Sequence, residues 1–324
     1  MSPYAIMFHH FHNQQHPRGQ GAISGGEFRE LLEHVGMDRL LPAHEWLDRV
    51  QAGTLGENDL CLSFDDGLRC QYDIAVPVMR ELGLTAFWFA YTGPMSGEKD
   101  TLEIYRYFRT VQFDHVDAFY GAFYQTCRKL DLWDQITQGL EGFDPAGYLA
   151  PHRFYSNNDR TFRYVRNTIL GAERYETVMD TMISGNGFDA DKISDQLWMK
   201  PEQLKELHDA GFVIGLHSHS HHNRIIDLPQ ARQEAEYTTN ARHLKAITGE
   251  DPITVSYPCN AYDAETLRFL SSIGVRVGFR TDLFDTPKSL LELPRMDHIE
   301  VIRQMKKPKS RPNDQNKSNT RSGS

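Results

Sequence analysis

Leu60-Cys61-Leu62-Ser63-Phe64-Asp65-Asp66-Gly67 is the stretch on which the fold turns. An apolar run of this length reads as a buried strand, and it passes directly into two acids and a glycine. Upstream, Tyr4 to Phe8 has the same character and ends in His9-His10-Phe11-His12. Ser24 stands three residues before Glu27, the spacing of a capping box, and Phe28, Leu31, Leu32 and Val35 then keep a helical period. Downstream, Ala75 to Leu82 reads as a helix with Pro77 in its first turn, and Thr85 to Tyr91 as a strand. From about 96 to 196 the pattern becomes amphipathic, rich in Tyr, Phe and Arg, and poor in strand signals, which predicts a mainly helical insertion. Then come a helix at Pro201 to Ala210, a strand at Phe212 to Leu216, a helix at Leu228 to Thr248, a strand at Thr254 to Tyr257, a helix at Ala264 to Ile273 and a strand at Val275 to Phe279. Alternation of this kind means a parallel sheet with crossover helices. Its natural closed form is an α/β fold, a distorted (β/α) barrel of about seven parallel strands, with the working residues at the C-terminal strand ends.

The chain has 324 residues, 40% hydrophobic and 24% charged, with a formal net charge of −9. That is an ordinary globular composition, and the acidic balance argues against a nucleic-acid partner. No apolar run reaches the roughly 20 residues of a membrane helix. Met1-Ser2-Pro3-Tyr4 lacks the features of a signal peptide, and Cys61, Cys70, Cys127 and Cys259 form no paired motif. Buried free thiols and a cytoplasmic location are therefore expected. Residues 1–305 are read as one domain. Lys306 to Ser324 carries six Lys or Arg against one Asp and is expected to be a disordered basic tail.

Two clusters could carry chemistry. Asp65 and Asp66 are adjacent carboxylates, which repel unless a cation or donors divide their roles. A solvated turn with a helix N-cap would have the same sequence. His217-Ser218-His219-Ser220-His221-His222 follows an apolar strand. If one helical turn spans His217 to His221, both imidazoles share a side and His219 points elsewhere. Two histidines and one carboxylate make three protein ligands and leave a position open for water, the pattern of a catalytic metal. The second carboxylate is then free to act as a base.

These residues resemble the NodB-homology polysaccharide deacetylases, carbohydrate esterase family four. Ser63-Phe64-Asp65-Asp66-Gly67 is similar to the family's Thr/Ser-Phe-Asp-Asp-Gly motif, and Ile214-Gly215-Leu216-His217-Ser218-His219-Ser220-His221 to its Ile-Gly-x-His-Ser/Thr-x-x-His motif. Ser256-Tyr257-Pro258-Cys259-Asn260-Ala261-Tyr262-Asp263 resembles a variant of the third motif. The resemblance implies that Asp65 is the general base and that Asp66, His217 and His221 hold a divalent metal, with zinc the expected ion and cobalt, nickel or manganese compatible. It implies that the backbone N–H at Cys259 binds the oxyanion. The family's usual base-orienting Arg is missing from 254–262, and Arg295 is the candidate substitute, although a surface ion pair is an equal reading. A late Leu-x-His supplying the general acid is not evident, since His298 has no apolar strand before it. Ile6-Met7-Phe8-His9-His10 resembles the start of the permuted branch that includes poly-N-acetylglucosamine deacetylases, which assigns the acid to His9, with His10 next.

The function so implied is metal-dependent hydrolysis of the acetamide of an N-acetylated sugar, with a surface-glycan or nucleotide-sugar precursor as the expected partner. Tyr105, Arg106, Arg109, Trp133, Arg153 and Tyr155 of the insertion could stack on a sugar or grip a phosphate, or be the core and surface of a helical subdomain. A sugar O-acetyl esterase with the same metal site and a catalytically dead carbohydrate-binding homologue are the competing readings. A phosphate-ester hydrolase with two metals about 3.5–4 Å apart would need a second ligand set, which the sequence does not offer.

Overall fold

The computed structural model describes residues 4–98, 100–150, 155–283 and 286–306. Among these, seven parallel strands form one sheet in the order β6-β5-β4-β3-β2-β1-β7. The strands are β1 (Tyr4–Phe8), β2 (Leu60–Asp65), β3 (Phe87–Ala90), β4 (Val213–Leu216), β5 (Thr254–Ser256), β6 (Val277–Phe279) and β7 (Arg295–Asp297). The ring closes where Phe279 bridges Leu293, just ahead of β7, with Leu293 N–H donating to the Gly278 carbonyl at 2.8 Å. The expected distorted barrel of seven parallel strands is therefore present.

Strand faces alternate, so each strand serves two cores. The inner row includes Ala5, Cys61, Phe87, Phe89, Val213, Val277 and Phe279, and it packs against Trp46. The outer row, including Ile6, Leu62, Phe64, Trp88, Ile214 and Val255, packs with the surrounding helices. Both faces being covered explains why these strands read as continuous apolar runs. The interior is tight: a Cβ on Gly215 would lie 2.4 Å from Thr254 Oγ1 and 2.6 Å from the Phe89 ring.

Helix α1 (Gly25–Val35) carries the expected capping box, Ser24 to Glu27. α2 (Ala43–Ala52) was not anticipated; its buried face of Ala43, Trp46, Leu47 and Val50 packs against the barrel interior. A π-helical turn at Gln71–Ala75 precedes α3 (Val76–Leu82). Among the described residues, six α-helices occupy the segment expected to be helical: α4 (Thr101–Gln112), α5 (Val116–Lys129), α6 (Trp133–Gly139), α7 (Asn157–Tyr164), α8 (Gly171–Gly185) and α9 (Ala190–Leu197). The chain returns through α10 (Pro201–Asp209), then α11 (Gln230–Thr248) and α12 (Ala264–Ser272) follow their strands. β7 and α13 (His298–Met305) were also missed. A strand does precede His298, since β7 ends at Asp297 immediately before it, but it is not the apolar strand that the sequence lacks there. Its three residues, Arg-Met-Asp, give no apolar signal. No helix among the described residues is long and apolar enough to cross a membrane. Of the expected basic tail, 307–324 lie outside the described residues, as does Arg153.

Candidate active site

Every residue of the two sequence clusters arrives at the C-terminal ends of the strands. Asp65 is the last residue of β2 and faces inward, as Cys61 does, by the two-residue period of the strand. Asp66 follows with φ 78°, in the left-handed region that Asp tolerates better than most residues. Gly67, with φ 64°, completes the turn, and a Cβ there would approach the Ala90 Cβ to 3.0 Å. Among the described residues, Asp131 and Leu149 apart, every non-glycine residue with positive φ lies on a site-bearing loop: Asp66, Ser218, His221, Cys259 and Asn260. Such concentration of unusual backbone is typical of a functional site.

His217 follows β4. The expected helical turn from His217 to His221 is absent; the segment is a loop whose positive φ values at Ser218 and His221 swing both rings to one point. The His221 N–H donates to Ser218 Oγ at 3.1 Å. His219 does point elsewhere, with Nε2 2.8 Å from Glu98 Oε1. His217 Nδ1 donates to the Ser256 carbonyl at 2.8 Å, which fixes the tautomer and leaves Nε2 as the free lone pair. Asn240 of α11 accepts from the His217 N–H at 2.9 Å and donates to the Ala90 carbonyl at 3.0 Å, so the loop is held from behind.

Nε2 of His217 and Nε2 of His221 each lie 3.3 Å from Asp66 Oδ1. One potential ligand atom from each of the three residues lies within 4.8 Å of the others. Asp66 Oδ1 is buried with no hydrogen-bond partner. A buried orphan acceptor is costly, and a cation between the three residues would satisfy it. Burial alone would raise the Asp66 pKa, but the two imidazoles outweigh it and hold the carboxyl well below its ordinary range. Burial pushes His221 down to about 4, so it stands neutral and able to ligate. The donor set fits a divalent metal of the zinc type.

Asp65 belongs to a different network. Arg295 Nη1 and Nη2 donate to its two oxygens, each at 2.7 Å, and Ser256 Oγ donates to Oδ2 at 3.1 Å. Arg295 Nη2 also donates to Ser256 Oγ at 2.6 Å and Nε to the Arg280 carbonyl at 3.1 Å. Arg295 is fully buried, so the alternative of a surface ion pair is corrected. Burial would raise the Asp65 pKa, but the charge and hydrogen bonds of Arg295 together with His217 and His9 outweigh it and hold the carboxylate below its ordinary value.

His9, just past β1, places Nε2 3.9 Å from Asp65 Oδ2 and has no side-chain hydrogen bond among the described residues. His10 is engaged differently, 2.8 Å from Glu103 Oε2. His298 is nearly buried: Nε2 donates to the Gly21 carbonyl at 2.9 Å, while Nδ1 sits 3.3 Å from the Met7 carbonyl and 3.2 Å from Asp297 Oδ1. Cys259, with φ 52°, is exposed, which corrects the expectation of four buried thiols; Cys61, Cys70 and Cys127 are buried.

These groups line a cavity of about 460 Å³, walled on the far side by the helical segment. Tyr105, Arg106, Arg109 and Tyr155 line it as anticipated; Trp133 does not, and its ring lies under Arg128 instead. Three features were missed. Glu103 of α4 is a buried acid facing the site, pushed up to about 8 by burial and then by the negative charge of Asp66. Arg163 and Arg166, near the end of α7 and just beyond it, share the wall, and their three-residue spacing was the available signal. Gln71 joins two strand ends, donating to the carbonyls of His9 at 2.8 Å and Asp65 at 2.6 Å while accepting from Trp88 Nε1 at 3.0 Å. Nothing in the sequence marks it.

Residues 175–278 match the family described as polysaccharide deacetylase. The match includes His217 and His221 but not Asp65 and Asp66, which the barrel brings to them. No curated protein matches the sequence significantly. Among solved structures, the Streptococcus pyogenes deacetylase PplD in complex with acetate is similar at TM-score 0.53 and 14% identity, over 95% of this chain and 99% of that one. IcaB from Ammonifex degensii is similar at TM-score 0.54 and 15% identity, over 91% of each chain. The BpsB deacetylase domain from Bordetella bronchiseptica gives 0.51 and 14%, over 91% and 95%. At such identities the structural likeness speaks for the fold. The family match is carried on a fold like that of these deacetylase structures, so residues 175–278 are similar to the polysaccharide deacetylases.

Proposed function

We propose that this chain removes the acetyl group from an N-acetylated sugar, releasing the amine and acetate, with Asp66, His217 and His221 as ligands of one divalent metal, zinc by preference. The carrying observation is the division of labour between neighbours: Asp66 Oδ1 lies 3.3 Å from two imidazole nitrogens, while Asp65 is clamped by Arg295. When bound, the cation supplies Lewis acidity to water and to the acyl oxygen. Asp65, kept ionised by Arg295, takes the proton of the attacking water. The Cys259 backbone N–H donates to the oxyanion. His9, whose ring has no competing hydrogen bond, gives its proton to the departing nitrogen; His10 is held by Glu103 and His298 by backbone carbonyls. The segment at 96–196 is an insertion of the single domain that closes one side of the sugar pocket. A cytoplasmic location is part of this reading and is supported by four unpaired cysteines.

The test is acetate release from N-acetylglucosamine derivatives and from matched O-acetyl sugars, with chelated protein and after zinc is restored. Zinc-restored release from the amides supports the proposal. Release from the esters alone would make the protein an esterase, and release that ignores chelation would remove the metal from the account.

A further inference from the structure

The wall opposite the metal ligands is cationic in a chain whose net charge is −9. Arg106, Arg109, Arg163 and Arg166 all line the cavity that contains Asp65, Asp66, His217 and His221. Arg106 has a carboxylate neighbour, Glu103, at 3.7 Å, and donates to the Gln20 carbonyl at 3.1 Å. The other three make no ion pair among the described residues. Each lies over or near an aromatic ring: Arg163 is 4.0 Å from the Tyr155 centroid, Arg166 is 5.7 Å from Tyr175, and Arg109 is 5.8 Å from Phe119. A ring supports the guanidinium through its face and leaves in-plane N–H donors available, although Arg166 also has a side-chain hydrogen bond with Tyr175. Arg163 Nε is buried and has no hydrogen-bond partner, although the guanidinium is only one ring-stacking distance from Tyr155. Arg166 Nε is engaged by its neighbour Asn167 at 2.7 Å.

Cations gathered this way repel one another. The Arg163 pKa is lowered, by burial first and then by Arg166 and Arg109 despite a pull from Tyr155, and Arg106 is lowered by burial, Arg109 and Arg163. The pocket's own acids are engaged elsewhere, Asp65 by Arg295, Asp66 by His217 and His221, Glu103 by His10 and Asp297 by His298, so three guanidiniums without an ion pair favour a bound anion. A neutral N-acetyl sugar offers none. One carboxylate would answer one guanidinium, whereas phosphoryl oxygens answer several in the forked geometry that arginine prefers. The wall also reaches the chemistry, because Arg166 and Arg163 are close enough for their charges to act on Cys259.

We infer that the substrate is an N-acetylated sugar carrying a phosphate or diphosphate ester, and that Arg109, Arg163 and Arg166 hold the phosphoryl group while the acetamide meets the metal ligands. This rests on the deacetylase reading for the acetamide end only. The shared chemistry is a glycosyl phosphate, whether its other end is a nucleotide or a lipid.

The test measures both binding and acetate release on the zinc-loaded protein. The probes are N-acetylglucosamine, its 1-phosphate, UDP-N-acetylglucosamine, a farnesyl-diphosphate-linked N-acetylglucosamine and the carboxylated N-acetylmuramic acid. Phosphorylated probes are expected to bind at least about tenfold more tightly than the neutral sugar, as several charge-assisted hydrogen bonds imply. Arg163→Met, which keeps the stem on Tyr155, and Arg166→Gln should each erase most of that preference, weakening the phosphorylated probes far more than the neutral sugar. Using two variants guards against one that fails to fold, which a melting curve reveals. Equal binding of neutral and phosphorylated sugars, equal losses for both in the variants, or a preference for the carboxylated sugar would overturn the inference. Preference for the UDP or the farnesyl probe tells the nucleotide source from the lipid source, and either supports it. Phosphate-selective binding without acetate release would leave the inference standing and sink the deacetylase reading. Rapid release from all probes alike would do the reverse.

Discussion

Arg295 grips Asp65 with both terminal nitrogens at 2.7 Å, across 230 residues of sequence. The pair is buried and bidentate, so its effect is on ionisation and orientation rather than on surface charge. A base must be unprotonated to work. A carboxyl held below its ordinary value stays ionised further into acid, and its contribution to stability is present above the unfolded-state pKa of about 3.9 and lost as the pH falls through the folded value. Arg295→Lys keeps a charge and loses the fork. The acidic limb of the pH profile of kcat/KM should therefore move to higher pH in this variant. An unmoved limb would detach Arg295 from the base.

Asp65 and Asp66 are neighbours with opposite duties, and substitutions should separate them. Asp65→Asn is expected to retain one equivalent of zinc and lose about 10³-fold in kcat, within the range for general-base removal. Asp66→Ala should lose zinc and activity together. Metal analysis beside acetate kinetics checks this, and equal zinc loss in both variants would contradict the division.

Two of the candidate acids, His9 and His298, differ in what their rings hold. His9→Ala should lower kcat by about 10²-fold or more with a nearly unchanged melting temperature, as expected for a proton donor. His298→Ala removes contacts to the Gly21 and Met7 carbonyls, and its larger effect should be on thermal stability. Full activity in His9→Ala would return the acid role to His298 or to water.

Much of the site was legible because its signals are local. Asp65-Asp66-Gly67 and His217 to His221 each follow an apolar strand, and parallel topology alone sends such ends to one face. What the sequence hid was long-range or weakly patterned. Arg295 could be named only as a substitute, because nothing local ties β7 to β2; β1 lies between them in the sheet. β7 itself is short and polar. The four-residue spacing of His217 and His221 suggested a helical turn, but left-handed residues at Ser218 and His221 reach the same convergence by another route. Glu103 and the arginine wall sit on helices whose amphipathic pattern says which face is buried, not what that face looks onto. α2 does carry a helical period in Ala43, Trp46, Leu47 and Val50 and was legible from it, although the place of Trp46 makes sense only once Phe87 and Phe279 are seen beside it.

Packing inside the barrel gives a prediction independent of chemistry. Gly215→Ala would press a methyl group into Thr254 and Phe89. Overpacking of this kind costs about 1–3 kcal/mol, which a urea denaturation midpoint would report. A neutral effect would mean that the strands there are farther apart than described.

The most direct test of the account is calorimetric titration of zinc into metal-free protein, beside the His221→Ala variant. The account predicts one equivalent bound by the native chain and loss of that site in the variant, with the fold retained by circular dichroism. No zinc bound by the native chain, or an unchanged site after His221→Ala, would contradict the claim that Asp66, His217 and His221 form the metal centre.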